Sequence, residues 1–269
     1  MNSTAKNRLD FELVEKGLVR SRTKAQEIIK NGYVLCNGEV INKSGKKVSS
    51  TDKIVILKND YLKYVSRGGL KLEKALIEFD LDLENKTIMD IGSSTGGFTD
   101  CAIQHGARKV IAVDVGTEVM DKELKSNKKV ELYENTNIKD LDLSLFEEVD
   151  YITIDVSFIS IVNVFKIISR SNVKVDVIAL IKPQFECGKK IASKYKGVIL
   201  DKEIHKKVIS ETISQINRLG FFLRDMIPSP IKGGDGNIEY LSYFTNRINR
   251  NVDTDLTEIV NNAFKSLQK

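Results

Sequence analysis

The sequence predicts a doubly wound α/β domain preceded by a small α+β module, on three observations. Between Thr87 and Asp114 come an apolar run, a glycine loop, a helical stretch and a second apolar run ending in a carboxylate. That succession is the first half of a nucleotide-binding βαβ unit. Short apolar runs then alternate with helical patterns as far as residue 245, the pattern of an α/β sheet. Finally, of 42 Lys and Arg and 37 Asp and Glu, residues 1–63 hold 13 and 7, leaving 29 and 30 for the remainder. The whole basic surplus therefore sits in the first quarter, as in a polyanion-binding module joined to a nearly neutral body.

In the first module a helix is expected over 8–15, with Leu9, Leu13 and Val14 inward and Gly17 as its stop. Ser21 caps a second helix that Gly32 ends. Ala25, Ile28 and Ile29 form its buried stripe. Arg22, Gln26 and Lys30, four residues apart, form a ridge on another face with Lys24 nearby. Residues 33–36 read as a strand, Asn37-Gly38 as a tight turn, Val40-Ile41 as the return, and 54–57 as the strand closing the sheet. Lys43, Lys46 and Lys47 decorate the turn in between. A merely solvated helix is the alternative, but ridge and lysine turn together favour RNA or DNA phosphates.

The module is expected to span 1–60, a linker 61–69 and the body 70–269. A helix over about 70–79 follows Arg67-Gly-Gly, with Leu72, Leu76 and Phe79 inward. Lys71 at its start is opposed by the helix dipole, which singles it out. Ile88, Met89 and Ile91 fill a buried strand ending near Asp90, and a helix over 97–105 stops at Gly106. Strands follow at 109–113, 130–133, 151–154 and 175–181. A long helix over 202–219 ends at Gly220, and strands at 221–227 and 240–245 flank the loop Gly233-Gly-Asp-Gly-Asn237. Leu256, Ile259, Val260, Ala263, Phe264 and Leu267 mark a last amphipathic helix packed on the body. Five β/α units and a terminal hairpin make a Rossmann-like sheet.

At 41% hydrophobic and 29% charged residues, the 269-residue chain reads as soluble and globular. No stretch reaches membrane-spanning length, and the first residues lack the apolar core of a signal peptide. Cys36, Cys101 and Cys187 are odd in number and far apart, so neither disulfides nor a metal site is indicated, and a reducing cytoplasm is the expected compartment.

The glycine loop selects the ligand. A dinucleotide site wants Gly-x-Gly-x-x-Gly, whereas Asp90 to Gly97 reads Asp-x-Gly-x-x-x-Gly-Gly. A carboxylate before the first glycine would repel a pyrophosphate and suits the cationic amino-acid end of S-adenosylmethionine. Gly96 and Gly97 let the backbone approach a ligand, Asp114 stands where a ribose diol is gripped, and Asn135-Thr-Asn137 could contact an adenine. An ordinary turn with chance glycines is the bland alternative.

Ligands of open α/β sheets bind beyond the carboxyl ends of the strands. Asp155, Lys182 and Glu239 are expected at or near that edge, and Lys71 could reach it. Two lysines and two carboxylates suit deprotonation of a weakly acidic hydroxyl during methyl transfer, with Lys182 as base or as a cation facing the emerging alkoxide.

The run from Gly17 to Ala25, together with Arg8-Leu9-Asp10 and Gly32-Tyr-Val-Leu-Cys-Asn-Gly38, resembles the S-four RNA-binding fold. Tyr64 to Ala75, Asp90 to Asp100, Ala112 to Gly116, Ile154 to Ser160, Lys182 to Glu186 and Gly236 to Glu239 resemble, in order, the TlyA family of ribosomal RNA 2′-O-methyltransferases, also labelled haemolysin A, whose catalytic half is similar to the FtsJ class. The resemblance implies a Lys-Asp-Lys-Glu tetrad at Lys71, Asp155, Lys182 and Glu239, S-adenosylmethionine as methyl donor and a cytidine ribose as acceptor. The cofactor residues it implies are Asp90, Gly92, Ser93, Thr95, Gly96, Gly97, Phe98, Asp114, Asn137 and Asp155. Arg20, Arg22, Lys24, Lys30, Lys43, Lys46, Lys47 and Arg67 are expected to bind RNA. The expected partner is ribosomal RNA or a ribosomal subunit, without a membrane, for a monomer or weak homodimer. The short ends lean towards modification of the large subunit alone. Asp155-Val-Ser-Phe158 also occupies the place of the Asp-Pro-Pro-Tyr motif of amine-methylating enzymes, so a base methyltransferase is the runner-up. A cytolysin, suggested only by the family's label, lacks any supporting segment.

Overall fold

The computed structural model describes residues 6–57 and 60–266, in two compact units, Met1–Ser66 and Arg67–Lys269. Leu267, expected in the last helix, lies outside the described residues.

The first unit contains β1 (Asn7–Arg8), α1 (Leu9–Glu15), α2 (Arg22–Lys30), β2 (Val34–Cys36), β3 (Glu39–Val40), β4 (Lys47–Val48) and β5 (Ile54–Ile56). Ser21 caps α2 by accepting the Lys24 amide at 3.2 Å. Asn37 and Gly38 hold φ of 53° and 87°, the two left-handed residues that a tight hairpin between β2 and β3 needs. β2 is the centre of the sheet β3-β2-β5, and Leu9, Leu13, Ala25, Ile28, Ile29 and Val34 are fully buried between helices and sheet. The antiparallel pair β1–β4 was not expected, because strands of two residues have no period to read.

The second unit opens with α3 (Gly68–Glu78), two residues earlier than expected, so that Gly68 and Gly69 lie inside its first turn rather than before it. There follow β6 (Thr87–Ile91), α4 (Gly97–Gln104), β7 (Lys109–Val113), α5 (Lys122–Lys125), β8 (Val130–Tyr133), β9 (Tyr151–Ile154), α6 (Ile161–Ile168) and β10 (Asp176–Ile181). Two short helices, α7 (Pro183–Glu186) and α8 (Gly188–Lys194), precede α9 (Lys202–Asn217), β11 (Phe222–Pro228), β12 (Tyr240–Thr245) and α10 (Leu256–Ser266). The seven strands run in the order β11-β12-β10-β9-β6-β7-β8.

β6 to β10 pair in parallel, and every residue of β6 is buried, as its apolar run requires. β12 is antiparallel to both its neighbours, β10 and β11. The terminal hairpin is therefore not appended to the sheet edge. Its second strand is inserted, and its first lies outside. Five of six β12 residues are buried, whereas β11 mixes buried and open positions, as suits a strand covered on both sides and an edge strand respectively. The strand order reverses beside β6, whose neighbours are β7 and β9, and a crevice opens at such a switch point.

Candidate active site and basic groove

Four elements deliver charged side chains to one edge of this sheet. Lys71 lies on the buried face of α3 with Leu72 and Ala75, Asp155 follows β9, and Lys182 follows β10 just before Pro183 opens α7. Glu239 precedes β12, and because that strand is antiparallel its beginning meets the ends of the others. Lys71 Nζ donates to Glu239 Oε2 at 2.7 Å and to Asp155 Oδ2 at 3.4 Å. Lys182 Nζ lies 2.6 Å from Asp155 Oδ1 and donates to Ser157 Oγ at 3.2 Å. The result is an alternating ladder, Glu239–Lys71–Asp155–Lys182.

Three of the four rungs are buried, and the Asp155 side chain is 19% exposed. Burial pushes the Lys71 ammonium down, but the Asp155 and Glu239 carboxylates outweigh it and hold the group above its ordinary value. Burial pushes Asp155 up, and Lys71 and Lys182 outweigh that effect and hold its carboxyl below the ordinary value.

Beside the ladder lies a cleft of about 290 Å³ along the ends of β6, β7 and β9. Of the residues expected to hold a cofactor, Gly92, Asp114, Asn137 and Asp155 line it. Asp114 accepts the amides of Ser94 and Gly116, each at 2.7 Å. Asn137 accepts the Lys139 amide at 3.2 Å and starts a single 3₁₀ turn.

Asp90, Ser93, Thr95, Gly96, Gly97 and Phe98 do not line the cleft. Asp90 sits within β6, 1% exposed, with Oδ2 accepting from Thr99 Oγ1 at 2.7 Å and Oδ1 from Thr153 Oγ1 at 2.9 Å. In this structure the carboxyl ties α4 and β9 to β6. Burial pushes it up to about 6. Gly96 has φ of 95°, and a Cβ there would lie 2.3 Å from Leu124 Cδ1. A Cβ on Gly92, at φ of 84°, would lie 2.7 Å from the Asp155 carbonyl oxygen. Packing within the protein thus requires glycine at both positions; of the two, close approach of a ligand is the expectation only for Gly96, together with Gly97. Ser93 is buried with no partner for its Oγ, Gly97 begins α4, Phe98 is core, and Thr95 is exposed.

The cleft also contains residues not singled out from sequence: Ser94, Ser157, Phe158 and Ile159. Phe158 is 91% exposed at a φ of 65°, with its ring 5.1 Å from that of Phe185. For a bulky residue this left-handed backbone is a genuine outlier. Its signal in the sequence was only an aromatic inside a strand-end motif.

In the first unit, Gln26, Lys30, Lys43 and Lys46 line an open groove of about 990 Å³. Behind it Asp10 is fully buried, accepting from Arg8 Nε at 3.0 Å and Nη2 at 2.9 Å, from Gln26 Nε2 at 2.8 Å and from Arg22 Nη2 at 3.3 Å. The Arg8 guanidinium holds this carboxyl far below the usual range despite its burial. Arg22 and Gln26 thus share one face, as their spacing implied, and a buried anion fixes them there. Lys24 departs from the expected ridge: it is 7% exposed, and its Nζ lies 3.3 Å from Glu27 Oε2. Three residues from Glu27 on α2, it turns into an ion pair rather than outward. Arg20 and Lys47 are exposed, and Arg67, half-buried, sits at the start of α3 in the other unit.

Residues 64–246, which include the whole ladder, match the FtsJ-like methyltransferase family. The chain belongs to that family. Residues 7–54 match the S4 domain, so an S4 domain precedes the FtsJ-like domain. The chain is 43% identical over 240 residues to Hemolysin A of Brachyspira hyodysenteriae, covering 88% of this chain and 99% of that one. It is 38% identical over 253 residues to the 23S rRNA (cytidine-2'-O)-methyltransferase TlyA of Campylobacter jejuni, covering 88% and 98%. A solved structure of a provisionally named hemolysin from Streptococcus thermophilus superposes with a TM-score of 0.77 at 37% identity, covering 99% of this chain and 98% of that one. Among the described residues of this FtsJ-like protein, no helix is long and apolar enough to cross a membrane.

Proposed function

We propose that the protein transfers a methyl group from S-adenosylmethionine to a ribose 2′-hydroxyl of ribosomal RNA, with cytidine as acceptor nucleoside. The observation that carries this reading is the Glu239–Lys71–Asp155–Lys182 ladder, whose Asp155 also lines the cleft. The cleft suits the cofactor. Each Asp114 oxygen accepts one amide and keeps a lone pair for a ribose hydroxyl, and Val115 and Ile138 offer apolar walls to an adenine. Bound there, S-adenosylmethionine supplies a methyl group already activated by its sulfonium.

What remains for the chain is to align a hydroxyl and accept its proton. Lys71, kept protonated by two carboxylates, is not the acceptor; it fixes Asp155. Asp155 in turn orients Lys182, which faces the acceptor hydroxyl either as the group that takes its proton or as a cation beside the emerging alkoxide. Phe158 offers a ring on which the nucleotide's base can stack. The groove of the S4 domain supplies lysines for RNA phosphates. This reading assigns the protein to the cytoplasm, as a monomer or weak homodimer, and the relative named for 23S rRNA supports the large ribosomal subunit as its partner.

The test is methyl transfer from labelled S-adenosylmethionine to rRNA, with the methylated position mapped and then replaced by its 2′-deoxy form. Loss of transfer on that replacement is expected. Methylation of the deoxy substrate would move the reaction onto the base, and no transfer to any rRNA would overturn the reading.

A further inference from the structure

Between Lys182 and the start of α9 the chain makes an excursion over α7, α8 and the segment 195–201. One end of this excursion is Lys182 itself. The other end is pinned beside Glu239 by two buried side chains. Asn237, 3% exposed, accepts the Ile199 amide on Oδ1 at 3.1 Å and donates from Nδ2 to the Gly197 carbonyl at 2.7 Å. His205, 1% exposed, pairs through Nε2 with the Ile199 carbonyl at 2.9 Å and through Nδ1 with the Tyr240 hydroxyl at 2.8 Å. Ile199 is thus held by its amide to Asn237 and by its carbonyl to His205, which in turn bonds Tyr240, so the two links reach the chain on either side of Glu239.

The loop that carries Asn237 also cradles Glu239. The Gly233 amide donates to the Asn237 carbonyl at 2.9 Å, and the Ser229 amide donates to the Glu239 carbonyl at 2.9 Å. A Cβ on Gly233 would lie 2.5 Å from Glu239 Oε1, so the loop backbone closes directly over that carboxylate. Glu239 Oε2 is then left facing Lys71.

We infer that Asn237 is a positioning residue: by clamping the far end of the excursion that begins at Lys182, it holds the Gly233–Glu239 loop so that Glu239 is aimed at Lys71. The inference rests on the methyl-transfer reading of the ladder. Physically, an amide is suited to the task because it accepts from one backbone group and donates to another without adding charge beside Glu239. Loss of the clamp would leave the buried Ile199 amide without its acceptor, release the Gly197 carbonyl and let the loop relax.

The experiment is a double-mutant cycle in the full chain. Asn237→Ala removes both bonds, and Asn237→Asp keeps the shape but loses the donation to Gly197. Either change is expected to lower single-turnover methyl transfer on the order of tenfold to a hundredfold, the effect of misplacing an aligned group by about 1 Å. Affinities for S-adenosylmethionine and RNA should stay within about twofold. Combined with Glu239→Gln, either variant should add nearly nothing, since a residue acting through Glu239 has no effect once Glu239 is lost. A second readout needs neither cofactor nor RNA: the titration of Lys71 Nζ followed by NMR should move down in Asn237→Ala, in the direction that Glu239→Gln moves it. Losses that add to those of Glu239→Gln would overturn the assignment, as would an unmoved Lys71 titration. Should the alanine variant fail to fold, the uncharged Asn237→Ser variant carries both measurements, the aspartate variant serving the kinetic cycle alone because its added charge would itself raise Lys71. Inactivity of the wild-type protein, by contrast, would count against the reaction and leave the NMR test of positioning intact.

Discussion

Lys71 Nζ and Glu239 Oε2 lie 2.7 Å apart, although 168 positions separate them in the chain. The pair is buried, so its charges are little screened, and removing one partner leaves the other unmatched. Lys71→Met is expected to destabilise the second unit by about 3–5 kcal/mol, read as a fall in its thermal midpoint. The pH dependence has a defined sign. Lys71 is raised in the folded state, so its contribution is complete below about 10.4 and is lost as pH climbs through the higher folded value. Asp155 is lowered, so its contribution is present above about 3.9 and is lost as pH falls through the lower folded value. The alkaline loss should disappear in Lys71→Met. An identical alkaline limb in that variant would show that Lys71 has no part in it.

Lys182→Ala should keep cofactor and RNA affinity while single-turnover transfer falls by about 10²–10⁴-fold, the range ascribed to a positioned proton acceptor. Arginine should not restore the rate, since a guanidinium keeps the charge but does not give up its proton. An active arginine variant would make Lys182 an electrostatic stabiliser instead.

Asp90 predicts a second pH effect of opposite sense to that of Asp155. Its folded value of about 6 lies above the ordinary value of 3.8, so the folded state binds the extra proton and stability falls as pH rises between the two. The difference corresponds to about 3 kcal/mol at neutral pH. Asp90→Asn should flatten that part of a stability–pH curve measured by chemical denaturation. A curve unchanged from wild type would mean that the carboxyl stays ionised without cost.

In the S4 domain, neutralising Lys30, Lys43 and Lys46 should weaken RNA binding and reduce the salt slope by about 0.7–0.9 for each phosphate that is no longer neutralised. Lys24→Gln is the internal control, because that ammonium already faces Glu27. Titrations at several salt concentrations decide it: equal slopes for the triple variant and wild type would remove the groove from RNA binding.

Gly96→Ala should destabilise the second unit by about 1–3 kcal/mol through its left-handed backbone, with a further loss where the new methyl meets Leu124. Leu124→Ala carries its own cavity cost, so the comparison is a double-mutant cycle read in denaturant melts: in its background the cost of Gly96→Ala should shrink, the collision being relieved, but not vanish, the backbone strain remaining. An undiminished cost would place the whole of it in the backbone.

How much of this was legible beforehand depended on the range of the interaction. Local signals worked: Ser21 as a cap, Asn37-Gly38 as a turn and the apolar run of β6 each act within a few residues. The four ladder residues were placed near one sheet edge because strand ends converge in any such sheet. Partners distant in sequence were out of reach. Thr153 claims one oxygen of Asp90 from 63 positions away and Leu124 explains Gly96, each depending on what a fold brings alongside, whereas the Lys24–Glu27 pair is local and could have been read from i,i+3 spacing. α7 and α8 escaped notice because four and seven residues give too little periodicity, and the insertion of β12 is a property of pairing that strand composition hints at only through burial.

That insertion has a consequence for how the molecule comes into being. Synthesis delivers Lys71, Asp155 and Lys182 long before Glu239, and the parallel strands β6 to β10 can pair while the tail is still being made. β12 is the last strand made, and it hydrogen-bonds to β11 within the hairpin and back to β10 across the intervening α7, α8 and α9. Such a late, long-range pairing is slow to nucleate. The carboxylate that completes the ladder rides on the very residue before this closing strand, so a partly folded chain carries an unfinished site. Completion of the sheet and completion of the site are one event.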